Sequence, residues 1–128
     1  MRSAVKTDRA PKPAGPYSQA IRAGDFIYVA GQGGVDPSTG KFVEGGVEEQ
    51  TRQTLKNIET ILKAAGSSLD EVVKVSVFLK DVKDFQTMNK VYAEFFKAPP
   101  PARTTVGVSF VVPEMLVEID VVAYSPKK

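Results

Sequence analysis

The residues best suited to chemistry in this sequence are one arginine and two acids. Arg103 stands directly behind three prolines in "PPPARTTVGVS", and Glu118 and Asp120 lie in "VEIDVVAY". Proline fixes φ and removes a donor, so the triplet is a stiff extended spacer that delivers Arg103 to the start of the next element. A guanidinium in a fixed place suits bidentate recognition of a carboxylate or phosphate, because its planar fork matches both and its charge cannot be lost. A carboxylate can orient a water or take its proton. The chain contains no histidine and no cysteine. With them go disulfides, thiolate nucleophiles, Ser-His-Asp triads and nearly every zinc or redox-metal site. Acid and base work therefore falls to Asp, Glu, Lys and Tyr, with no metal site expected. The stretch "GQGGVDPSTG" fits neither GxGxxG nor GxxxxGK[ST], which removes a nucleotide-binding reading, and Asp36–Gly40 reads as a turn.

The elements that must hold these residues follow from the spacing of apolar positions. Tyr17 to Arg22 and Phe26 to Ala30 flank Ala23-Gly24-Asp25 and predict a hairpin. From Val47 the period changes: Val47, Thr51, Thr54, Leu55, Ile58, Ile61, Leu62 and Ala65 fall on one helical face, with Gly66 as the stop. Val72 to Lys80 alternates again, with Val73, Val75, Val77 and Leu79 on one side. Asp84 is placed to cap a second helix whose apolar face is Phe85, Met88, Val91, Tyr92, Phe95 and Phe96. Two closing strands, Thr104 to Val111 and Met115 to Tyr124, are separated by a break at Pro113. The fold class is α+β, a sheet with two helices packed on one face.

What covers the other face? Met115 to Tyr124 carries apolar residues on both sides, and Phe26, Tyr28 and Ala30 oppose Ile27 and Val29 in the same way. A chain of 128 residues has no third layer to spare, so the helix-free face predicts self-association. An ordinary, partly apolar exposed face is the competing explanation. Strand parity separates Arg103, Thr105, Gly107 and Ser109 from Thr104, Val106, Val108 and Phe110, and the second, apolar set is expected to meet the helices. Glu118 and Asp120 are expected on the helix-free side, so that Arg103 and Glu118 share one face. A plain hairpin between the two strands would offset them by about four residues, roughly 13 Å, leaving space for a small carboxylate and a water. The plainer alternative for Arg103 is an ion pair at an interface.

Composition bounds the rest. The length predicts a single domain, 1–128, with one core and no cleft between domains. Charged residues are 25% and hydrophobic ones 42%, ordinary globular usage. No apolar run approaches the roughly 20 residues of a membrane span, and the opening "MRSAVKTDRAPKP" has no apolar core of a signal peptide, so a cytoplasmic location is expected. The net charge of +2 is dispersed and "SPKK" reads as a solvated tail, which argues against nucleic acid as a partner.

Beyond these readings, "AGPYSQA", "YVAGQ", "LKNIETILKAAGSSLDEVVKVSVFLKD", "MNKVYAEFF", "PARTTVGVS" and "VEIDVVA" together resemble the reactive intermediate deaminase A family, RidA, also called YjgF. The resemblance runs from about Ala10 to Ala123. It implies a chorismate-mutase-like fold and a homotrimer that associates through the helix-free face, with active sites in clefts between subunits. The implied activity is cofactor-independent hydrolysis of reactive 2-imino or enamine acids, such as 2-iminobutanoate and 2-iminopropanoate, to 2-keto acids and ammonia. It would clear unstable products of pyridoxal-phosphate dehydratases. An imine carbon is already electrophilic and needs only positioning, a water and acid–base help, which suits a chain without His or Cys. By the same resemblance Arg103 grips the substrate carboxylate and Glu118 positions or activates water. Tyr17 aligns with an active-site tyrosine, Gly31 with a pocket-lining glycine, Asn89 with a pocket-side asparagine, and Thr105 with a position often occupied by cysteine. Ala30 stands where many members carry Ser or Cys, which bears on substrate preference and rate.

Each assignment has a plainer alternative: Tyr17 as an interface aromatic, Gly31 as a strand-end turn, Asn89 as a helix-surface amide. Two other functions stay open, a non-catalytic binder of small carboxylates or chaperone-like interaction protein, and an endoribonuclease or translation inhibitor. The second has neither a histidine nor a concentrated basic stripe to work with.

Overall fold

Alternation and helical periodicity resolve as eight strands and two α-helices in the computed structural model, counted among the residues it describes, 1–126. Lys127 and Lys128, the end of the tail read above as solvated, lie outside the described residues. In chain order the elements are β1 (Arg2–Val5), β2 (Ala20–Ala23), β3 (Phe26–Gln32), β4 (Val35–Asp36), β5 (Lys41–Phe42), α1 (Val47–Ala64), β6 (Val72–Leu79), α2 (Phe85–Phe95), β7 (Ala102–Gly107) and β8 (Val117–Tyr124). Six strands form a mixed sheet in the order β1-β2-β3-β8-β6-β7, with β6 and β7 parallel and the other neighbours antiparallel. β4 and β5 make a small ribbon around the Asp36–Gly40 turn. Both helices cover one face, as the apolar pattern requires. Among the described residues no helix is long and apolar enough to cross a membrane.

The core lies between that face and α1. Leu55, Ile58, Ile61 and Leu62 are buried against Ile27, Val75, Val77, Leu79, Ile119 and Val121. α1 ends where expected: Gly66 adopts φ 81°, and Ser67 N–H returns to Leu62 O at 2.8 Å. Arg22 reaches the same end, donating to Ala65 O at 3.1 Å and to Ser125 O at 2.7 Å. Two buried amides on α1 anchor loops that periodicity does not reveal. Gln50 donates to Glu114 O and accepts from Leu116 N–H, both at 2.9 Å. Asn57 donates to Val35 O at 2.8 Å and Gly33 O at 3.2 Å.

Four expectations are corrected. First, β7 and β8 are not a hairpin. β7 pairs with β6 in parallel, and β6 separates it from β8, because α2 and the prolines carry the chain across to the sheet edge. Second, the sides of β7 are reversed. Arg103 pairs with Val75 and Thr105 with Val77, and those partners face the helices, whereas Thr104 and Val106 pair with Ser76 and Phe78 on the helix-free side. Val106 is apolar and still exposed, so hydrophobicity assigned this edge strand the wrong way. Third, Val73 is exposed at a bulge where the β6–β8 register shifts, and Val72 takes its place in the core. Fourth, Asp84 makes no side-chain cap; Asp81 does, accepting from Lys83 N–H at 2.9 Å in the short turn before α2.

Candidate active site

The parity of β7 decides the geometry. Arg103 faces α2 and Glu118, paired with Phe78, faces the opposite side of the sheet. Their partners Val75 and Phe78 are about 10 Å apart along β6, and β7 and β8 are about 9.6 Å apart across it, so the two Cα atoms lie roughly 14 Å apart with side chains diverging. The shared face expected from the sequence does not exist within one chain. The residues fall into two groups instead.

The first is built by β7 and α2. The Arg103 guanidinium carbon lies 4.6 Å from the Tyr92 ring centroid and 5.7 Å from that of Phe85, and Nη1 is 4.0 Å from Met88 Sδ. Residues 85, 88 and 92 repeat at helical spacing, which is why one side of α2 can wrap one guanidinium. Among the described residues Arg103 has no carboxylate partner; the ion pairs found there join Arg52 to Glu48 and Glu94. Thr105 points the same way as Arg103, and Asn89 follows Met88 on the helix. Asn89 Oδ1 and Tyr92 Oη are both buried without a hydrogen-bond partner. A half-buried cation without an anion among the described residues, beside the unpaired Tyr92 hydroxyl, is arranged for an anionic polar ligand.

The second surrounds Glu118 on the helix-free face. β3 carries one extra residue between Val29 and Gln32, and that bulge sets Gly31 against the Glu118 side chain. A Cβ on Gly31 would stand 2.8 Å from Glu118 Cδ, so only glycine leaves the carboxylate its place. Phe78, Val108, Phe110, Val112 and Met115 join Glu118 around a pocket of about 260 Å³. Burial raises the Glu118 pKa above the ordinary glutamate value, and the charge of Asp120 adds to the shift. Asp120 is also raised by burial, with a Ser76 hydrogen bond and the Lys74 charge opposing.

Tyr17 joins neither group within the chain. It sits 51% exposed in the loop before β2, its hydroxyl accepting from Ala14 N–H at 3.0 Å, and lines a separate pocket of about 500 Å³ with Thr7 and Lys12. Buried Gln19 holds that loop, donating to Thr7 O at 3.0 Å and Pro11 O at 2.9 Å and accepting from Thr7 N–H at 2.8 Å. Thus Arg103 and Thr105 face the helices, Asn89 lies on α2 one residue after the Arg103 neighbour Met88, and Gly31 meets Glu118 at a second place. Tyr92 and Phe85, which the sequence reads as helix core, stand beside Arg103, a neighbour that helical periodicity alone does not show.

The Endoribonuclease L-PSP family matches residues 7–125, and the chain belongs to this family, the YjgF/RidA family. Its sequence is 53% identical to a RutC family protein of Pyrococcus horikoshii over 97% of this chain and 98% of that one. It is 45% identical to the human 2-iminobutanoate/2-iminopropanoate deaminase over 96% of this chain and 90% of that protein. The crystal structure of E. coli TdcF with bound serine superposes with a TM-score of 0.90 at 36% identity, covering 95% of this chain and 98% of that one.

Proposed function

We propose that this protein hydrolyses 2-imino acids, including 2-iminobutanoate and 2-iminopropanoate, to 2-keto acids and ammonia, in a site that two copies of the chain complete. The observation that carries the reading is Arg103 held by α2 without an anionic partner among the described residues, while Glu118 occupies the opposite face of the sheet. One chain cannot bring both to a small substrate. A neighbouring copy seated on the helix-free face would set its Arg103 half-site against Glu118. That face has the surface for it: Tyr28 is 49% and Tyr124 47% exposed, and Phe26 packs between them with ring centroids at 6.4 and 5.3 Å. The family relationship and the human deaminase among the relatives support the choice of reaction, and serine bound by TdcF supports a small amino-acid-like ligand.

The chemistry needs little apparatus. Arg103 binds the substrate carboxylate and holds C2 in place. Glu118 orients a water and takes its proton as the water oxygen bonds to C2, while the C=N π pair moves to nitrogen. The carboxyl returns that proton to nitrogen, giving a carbinolamine; it then takes the proton of the new hydroxyl as the C2=O bond forms and delivers it to nitrogen as the C–N bond breaks, so ammonia leaves with the 2-keto acid. Gly31 keeps the space beside Glu118 open. Tyr17, Asn89 and Thr105 belong to the assembled cleft in this reading, with Asn89 Oδ1 free to accept from the substrate nitrogen.

The test couples the purified protein to a threonine dehydratase and follows the imine with semicarbazide as the competing trap. Addition of the protein is expected to cut semicarbazone formation and hasten 2-ketobutyrate release. Unchanged semicarbazone yield at protein concentrations matching the dehydratase would reject the activity.

A further inference from the structure

Tyr92 is placed to do more than fill the core. It is 7% exposed, its ring lies 4.6 Å from the Arg103 guanidinium and 4.6 Å from Phe96, and its hydroxyl is enclosed without a hydrogen-bond partner. A buried unpaired hydroxyl is costly, and phenylalanine would pack the same space without it. Burial raises the Tyr92 pKa, and both the Arg103 charge and the approach of the Arg103 side chain to the hydroxyl oppose the rise, so the hydroxyl is protonated at neutral pH and, with Arg103 turned to its oxygen, still has its proton to donate.

Stacking on an aromatic face leaves a guanidinium's edge donors free in its own plane, which is the plane a carboxylate must enter. A carboxylate accepts at about four lone-pair sites and two are used by an arginine fork. We propose that Tyr92 positions Arg103 through its ring and donates its hydroxyl to the carboxylate that Arg103 binds, which makes it a ligand-contacting residue of the site. The proposal rests on the reading of Arg103 as a carboxylate clamp. It explains why a tyrosine occupies a place that packing alone would give to phenylalanine.

Calorimetry with 2-ketobutyrate, run on the wild-type assembly and on Tyr92→Phe and Tyr92→Leu, tests it. Tyr92→Phe keeps the ring and should weaken binding about tenfold, as loss of a hydrogen bond to a charged group does, without lowering Tm. KM for the imino acid should rise in step while kcat holds within about twofold. Tyr92→Leu, which also removes the platform, should weaken binding further. A Tyr92→Phe protein that binds 2-ketobutyrate as tightly as the parent overturns the proposal while the clamp reading stands. A wild-type protein that binds no 2-ketobutyrate overturns both.

Discussion

Glu118→Gln is expected to lower kcat for 2-iminobutanoate by about 10² to 10⁴, the range general-base catalysis supplies, while 2-ketobutyrate still binds. Glutamine keeps the size and one acceptor of the side chain but cannot take a proton from water. The fold should survive, because the Glu118 side chain makes no hydrogen bond or ion pair among the described residues and its burial already disfavours the charge. The pH profile gives a second reading of the same group. The working base is the carboxylate, so kcat should fall as pH falls through the Glu118 pKa. Burial and Asp120 both raise that pKa, which places the acid limb above the ordinary glutamate range. In Glu118→Gln the limb should vanish. Calorimetric loss of 2-ketobutyrate binding in this variant, with assembly intact, would make Glu118 a pocket organiser and not the base.

The second large effect is expected at Arg103. Arg103→Lys keeps the positive charge and loses the planar fork, which suits a carboxylate at two points and sits over the Tyr92 ring. KM for the imino acid should rise on the order of a hundredfold, with far-UV circular dichroism and Tm close to the parent, since the guanidinium makes no ion pair among the described residues. Steady-state kinetics at several imine concentrations would measure it. An unchanged KM would reduce Arg103 to an interface cation.

Much of this arrangement was legible in the sequence. The helical face from Val47 to Leu62 is buried as its spacing demands, and β8 alternates as read, because both elements lie wholly against the core. The failure at β7 is instructive for a physical reason. Parity sorts a strand into two sides, but naming the inner side by hydrophobicity presumes that one side meets water. On an edge strand whose outer side is apolar and whose inner side reaches past the core to hold an arginine, that presumption inverts the result. The parallel β6–β7 pairing is equally invisible, since nothing in the spacing of β7 and β8 excludes a hairpin. Residue type singled out Arg103 and Glu118, and resemblance joined Gly31 and Asn89 to them as a set of Arg103, Glu118, Gly31 and Asn89. It could not tell that the first and second of these lie on opposite faces of one chain, and it left Tyr92 among the core residues.

That separation is also what makes the shared site open to a decisive measurement. Arg103→Lys and Glu118→Gln proteins, each impaired alone, can be denatured together and refolded as mixed assemblies. If Arg103 of one copy works with Glu118 of its neighbour, roughly a quarter of the interfaces in an equal random mixture pair two intact residues. Deaminase activity of the mixture should then rise to about a quarter of the wild-type rate, far above the mean of the two parents refolded separately. Activity that stays at that mean, in mixtures proven by mass spectrometry to contain both chains, would contradict a site completed by two copies.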